Sequence, residues 1–223
     1  MPTVVNILRS MWERAWSFIK KAGTVILLSQ IFIWFTQGFG FENGSFGMVE
    51  DMENSILAAI GRGIAWIFIP LGWGNWKATV AAVSGLVAKE NVVGTFGVLY
   101  GFAEVAENGN EIWGTLAASF TTAAAYSFLV FNLLCAPCFA AMGAIKREMN
   151  NGKWFWFAIG YQTTLAYGAS LVFYQIGHLF EGGSFGIGTV AAILVIALFI
   201  YLLARPNREL GSERGKIKAK RAA

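Results

Sequence analysis

An uncharged stretch runs from Ile112 to Ile145, 34 residues, and is interrupted near its far end by Leu134-Cys135-Ala136-Pro137-Cys138. A bilayer's hydrocarbon core takes about 20 helical residues at ~1.5 Å rise each. The stretch is too long for one straight span, so it predicts a helix that breaks or bends. Pro137 marks the place, because it has no N–H and leaves the carbonyl of Leu133 without its helical donor. In lipid a broken helix is tolerated only where protein or a watery cavity satisfies the freed groups. Both cysteines of the chain flank this proline. Two readings stay open: thiols lining a site at the break, or small buried apolar residues beside a packing kink.

Hydrophobic residues make up 56% of the chain and charged residues 13%, with a mean hydropathy of +0.55. Together with several long uncharged runs, this predicts an all-α, polytopic helical membrane protein in contact with lipid rather than nucleic acid. Two cysteines make neither a disulfide framework nor a four-ligand zinc site. No cleavable signal is expected, since Arg9, Arg14, Lys20 and Lys21 precede the first long apolar run.

Residues 1–21 read as an amphipathic lead-in with Trp12 and Trp16 near the surface. About six spans follow, over residues 22–41, 55–69, 78–103, 114–145, 154–178 and 187–204, with a basic, flexible tail over 205–223. The segment 55–69 is short and is followed by Pro70-Leu71-Gly72-Trp73-Gly74-Asn75, so it could also be a discontinuous or re-entrant helix. Trp73 and Trp76 of this turn are expected at the membrane interface, with Lys77 snorkelling to the surface. Fourteen of the 17 Lys and Arg lie in residues 1–21, 146–153 and the tail, and none in the loops 42–53, 104–111 and 181–186. Six crossings with both termini cytoplasmic satisfy every loop.

Three cations fall elsewhere: Arg62, Lys77 and Lys89, the last next to Glu90. A charge at the bilayer centre costs at least ~2.5–3.5 kcal/mol on insertion scales, so such residues are expected to be paired or to line an aqueous path. Arg62–Glu90 or Lys89–Glu90 pairing is one reading, and Glu90 as a charge on a cation route is the other. Tyr161, Gln162 and Thr163 read as a polar cluster that packs helices together. His178, beside Glu181, is expected at the interface.

Several segments, in order, resemble the bacterial ferrous iron transport protein B (FeoB) family. These are Met11-Trp12-Glu13-Arg14-Ala15-Trp16, Pro70-Leu71-Gly72-Trp73-Gly74-Asn75-Trp76, Gly85-Leu86-Val87-Ala88-Lys89-Glu90 and Gly94-Thr95-Phe96-Gly97-Val98-Leu99-Tyr100. Pro137-Cys138, Lys146-Arg147-Glu148 and Gly160-Tyr161-Gln162-Thr163-Thr164-Leu165-Ala166-Tyr167 continue the likeness. It covers about residues 2 to 204. The resemblance implies the C-terminal part of that family's membrane domain, with the second of two Gate segments around Pro137-Cys138. It also implies a bacterial inner-membrane location.

The function it implies is part of an Fe2+ permeation path, with Fe2+ as transported substrate and no resident cofactor. Cys138 is expected to line the path, with Cys135 and Glu90 as further metal contacts and carbonyls freed by Pro137 as oxygen ligands. The expected partner is an N-terminal portion carrying a GTP-binding domain and the first Gate, and a homo-oligomer is left open. This chain is not expected to be an enzyme. Its nearest imitation of a P-loop, Gly211-Ser212-Glu213-Arg214-Gly215-Lys216-Ile217, is one residue short and lacks the Ser or Thr that would hold Mg2+. The chain is thus expected to be a fragment, a split subunit or an inactive copy. Two competing functions are a Gate-type permease for another solute and a membrane thiol oxidoreductase using Cys135 and Cys138.

Overall fold

The structure, a computed structural model, describes residues 3–42, 45–49, 52–89, 91–102 and 112–205. Nine α-helices are found among these, with a single two-stranded hairpin of β1 (Phe39–Glu42) and β2 (Ser45–Met48). The all-α expectation holds. The expected Glu90, the loop 104–111 and most of the basic tail lie outside the described residues.

Helix α1 runs unbroken from Val4 to Gly38, about 52 Å at ~1.5 Å per residue. The lead-in and the first expected span are therefore one helix. Trp12 and Trp16, one turn apart, stack on its exposed N-terminal half.

Helix α2 (Ile56–Ala65) passes directly into a 3-10 helix, Trp66–Leu71, which contains Pro70. The chain then turns through Gly72 and starts α3 (Trp76–Ser84), the two helical segments meeting at 96°. Gly72 is at φ +86 with the Tyr174 ring against its Cα, so a side chain there would be both strained and blocked. Trp73 of this turn points into the protein core. Trp73 is 1% exposed, stacked on Phe68 at 4.3 Å with Phe128 and Phe131 around it. Its indole N–H is buried without a partner among the described residues. The Lys77 ammonium lies over the Tyr100 ring at 4.7 Å.

The described residues of the expected span 78–103 do not form one helix. Helices α3 and α4 (Asn91–Leu99) run antiparallel as a hairpin. Lys77 meets Tyr100 at its open end, and Thr95 donates to Ser84 at 2.9 Å near its tip. Each arm is nine residues, too short to span a bilayer. Gly85 begins the tip, and a hydropathy profile does not distinguish such a fold-back from one long helix.

The 34-residue run is three helices: α5 (Trp113–Ser119), α6 (Thr122–Leu134) and α7 (Phe139–Met149). The break between α6 and α7 falls at Cys135–Cys138, where the proline predicts it. A second interruption, at Phe120 and Thr121, was not expected; there Thr121 caps α6 by accepting from the Ala124 N–H at 3.2 Å.

Helix α8 (Gly152–Phe180) packs antiparallel against α6 through small residues. Ser170 donates to the Ser127 carbonyl at 2.6 Å, and both serines are fully buried. A Cβ on Gly177 would lie 2.8 Å from that of Ala123. Close backbone approach of this kind is how helices associate where no hydrophobic driving force acts between them. Helix α9 (Ile187–Ala204) is apolar all round and buries only Thr189 and Ala192, as a helix facing lipid does. By length and composition, α6 with α7 and α9 can cross a membrane, and the bent pair 56–84 makes a third if taken as one span.

Candidate functional site at two meeting helix breaks

Four residues without helical geometry, Cys135 to Cys138, separate α6 from α7. Cys135 takes an extended conformation and still donates its N–H to Phe131 at 2.8 Å, closing the last turn of α6. The next two carbonyls, of Asn132 and Leu133, lack helical donors, because Ala136 has left the helix and Pro137 has no N–H.

The tip of the α3–α4 hairpin takes them. The Lys89 ammonium donates to the Asn132 carbonyl at 2.7 Å and approaches the Leu133 carbonyl at 3.3 Å. On the far side of the break, the Phe139 N–H in the first turn of α7 donates to the Leu86 carbonyl at 2.9 Å. Each interruption thereby satisfies backbone groups of the other. The charges also match. The C-terminal end of a helix carries partial negative charge, and an ammonium placed there is stabilised.

Glu90, the expected carboxylate partner of Lys89 or Arg62, lies outside the described residues. No carboxylate among the described residues lies within ion-pair distance of Lys89. The freed carbonyls, expected as oxygen ligands for a metal, are occupied by an amine. Arg62 lies elsewhere, donating to the Glu53 backbone carbonyl at 2.9 Å.

Cys135 is buried, and its thiol faces the Asn132 carbonyl at 3.5 Å, the same oxygen that Lys89 holds. Cys138 is partly exposed and sits at the N-cap of α7 without capping it by a side-chain bond. Beside the break lies a cavity of about 520 Å³. Cys135, Leu86, Phe131 and Phe139 line its break side, and Lys146 and Thr163 supply its few polar groups.

The expected polar cluster on α8 does not act as a unit. Tyr161 is 59% exposed and stacks on Phe157, and Thr163 donates to its own helix at Ile159. Gln162 points the other way, its amide oxygen buried without a partner among the described residues. The Ser127–Ser170 contact fixes the register of α6 against α8. Eight residues on from each serine, in opposite directions, are Cys135 and Gln162, so the unused oxygen lies at the level of the break. His178, in the last turn of α8, has the Tyr174 ring 5.6 Å away. No group of three His, Cys, Asp or Glu that could hold a metal ion is present among the described residues.

Sequence reasoning placed the break and both thiols but missed what fills the break. The signal available was Lys89 itself, a cation at the centre of an apolar run. Its acceptors, 43 and 44 residues on, carry no local sign of the contact.

A family model described as Gate, nucleoside recognition, matches residues 19–152, which include the hairpin tip and the break. The chain is 37% identical over 188 residues to the Fe(2+) transporter FeoB of Methanocaldococcus jannaschii, an overlap of 80% of this chain and 26% of that protein. It is 32% identical over 180 residues to the Fe(2+) transporter FeoB of Staphylococcus aureus (strain COL), covering 81% of this chain and 26% of that one. With the protein of the same name from Salmonella typhimurium (strain LT2) it shares 28% identity over 257 residues, 93% of this chain and 33% of the relative. The chain thus spans about a quarter to a third of the length of these curated relatives. No solved structure matches it.

Proposed function

The chain belongs to the Gate family in its FeoB membrane-domain form, and from that membership we propose that it forms part of an Fe2+ permeation path across the bacterial inner membrane. The observation that carries the proposal is the meeting of two interrupted helical elements at a pair of thiols. Interrupted helices are where transporters place ion sites, because backbone groups there lack helical partners. Fe2+ accepts thiolate, imidazole and carboxylate ligands, so Cys138 and Cys135 suit it.

Cys138 is the principal contact on this reading, being the more exposed thiol, and Cys135 the second. Glu90, next to Lys89 in the sequence, is the third proposed contact, chosen for its carboxylate. The Gln162 amide oxygen is a further acceptor at that level. These groups need water, or the rest of the transporter, to complete a coordination shell. That remainder, an N-terminal portion with a GTP-binding domain and a first Gate, is the proposed partner, and GTP hydrolysis is assigned to it.

The antiparallel α3–α4 hairpin revises the topology we propose. Complete crossings by α1, α6–α7, α8 and α9, with residues 55–102 entering and leaving on one side, keep every loop free of Lys and Arg outside and both termini inside.

The test is uptake of radioactive Fe(II) in cells that lack their own ferrous transporter, with the chain expressed in its native genetic context. Cys138→Ser is expected to lower the initial rate roughly tenfold, the ΔΔG‡ of about 1.4 kcal/mol that follows from losing one soft ligand. Unchanged uptake in that variant rules out a thiolate-lined path. The position of Cys138 at a helix N-terminus also suits thiol–disulfide exchange. A mixed disulfide trapped on Cys138 in Cys135→Ala, with no effect of either substitution on uptake, would favour that reading instead.

A further inference from the structure

We propose that Lys89 is a tethered cation that holds the broken end of α6 in place of the cargo, so that hairpin tip and transported dication bind the same carbonyl oxygens in alternation. The inference rests on the permeation reading above and adds to it the residue that makes the path exclusive. Three contacts converge on one spot. Lys89 Nζ is 2.7 Å from the Asn132 oxygen and 3.3 Å from the Leu133 oxygen, and the Cys135 sulfur is 3.5 Å from that same Asn132 oxygen. A dication held by the Cys135 thiolate finds its nearest backbone oxygens already taken by an ammonium. Like charges at such separation, in a poorly polarisable setting, repel strongly. One of the two must leave.

Displacing Lys89 has a mechanical result. The tip of the hairpin is joined across the break by two polar connections only among the described residues, the Lys89 ammonium and the Leu86 carbonyl. With the first gone, the Phe139–Leu86 bond alone ties the tip to α7. Pro137 is what makes this exchange available. In a continuous helix the Leu133 carbonyl would be filled by a backbone N–H, and neither amine nor metal could compete for it. Asn132 and Leu133 instead offer oxygens that always need an outside partner, and the chain provides one that can be withdrawn.

Co2+ serves as the probe, because its thiolate complexes absorb in the near ultraviolet. The chain is reconstituted in lipid nanodiscs and titrated with Co2+, the double variant Cys135→Ser, Cys138→Ser serving as the blank. Lys89→Met is expected to bind Co2+ roughly tenfold more tightly than the parent, while Lys89→Arg, which keeps the charge, stays close to it. Equal or weaker binding in a folded Lys89→Met overturns the proposal.

A second measurement uses the unaltered chain and so survives a misfolded variant. Amide hydrogen exchange at Phe139 is expected to quicken when Co2+ is added, as the tip leaves. Slowed or unchanged exchange under saturating Co2+ overturns the proposal as well. Iron uptake is read separately. Competition without uptake removes the transport reading and leaves the exchange of cations standing, whereas uptake without competition removes the inference alone.

Discussion

At the turn after Leu71 the carbonyls that leave helical geometry go to neutral side chains of the packed core, whereas at the break after Leu134 they go to a charged side chain on a separate hairpin. Tyr167 donates to the Ile67 carbonyl at 2.7 Å, Gln175 to the Pro70 carbonyl at 2.9 Å, and Ser127 to the Leu71 carbonyl at 2.8 Å. These donors belong to α6 and α8, and Trp73 fills the space beneath them. Nothing at this turn competes with a cation. At the Cys135–Cys138 break the donor is Lys89, and a cavity of about 520 Å³ lined by Cys135 lies alongside. Both places solve the same problem of unfilled carbonyls. The neutral solution fixes a fold, and the charged one leaves a position that another cation can claim.

That contrast can be broken by experiment. Its largest expected effect is at the turn. Trp73→Ala removes the largest fully buried side chain and is expected to cost about 3–5 kcal/mol, read as a shift of the denaturation midpoint in detergent. If Trp73→Ala instead leaves stability intact and alters metal binding, the two regions are not distinct in kind.

A smaller effect is expected between α6 and α8. Gly177→Val brings a methyl group into Ala123 and should cost about 1–3 kcal/mol by overpacking, measurable in the same midpoint. Smallest is Ser127→Ala, where a single interhelical hydroxyl is worth ~0.6 kcal/mol on average. Neither variant is expected to change Co2+ affinity, and a change in either would mean that the core side is coupled to the cation site.

How much of this was legible beforehand depends on whether the cause was local. Pro137 removes its own N–H, so the break was visible in the residue that makes it. The distribution of Lys and Arg among loops was equally open to reading. The hairpin was not, because residues 78–103 have the apolar character of one long span, and only Gly85 and the pair Lys89-Glu90 mark where they fold back. Trp73 was read as an interfacial anchor from its chemistry, yet Phe68 and, from far along the chain, Phe128 and Phe131 enclose it. Arg62 was read as a charge in need of a carboxylate, and a backbone carbonyl nine residues away serves it. The facing serines Ser127 and Ser170 each look ordinary until the register of two helices brings them together.

The far end of α6 has its own clasp. Glu181, just past the last turn of α8, accepts the free N–H of Ala123 at 2.9 Å, placing a carboxylate on the positive end of the helix. With the serine pair midway and Gly177 between, α6 and α8 are joined at several levels along their shared length. In mechanical terms they are the stator. On the cation-exchange proposal the α3–α4 hairpin is the part that moves against this rail, and the useful place for a distance label is on the hairpin tip, with its reference on α8.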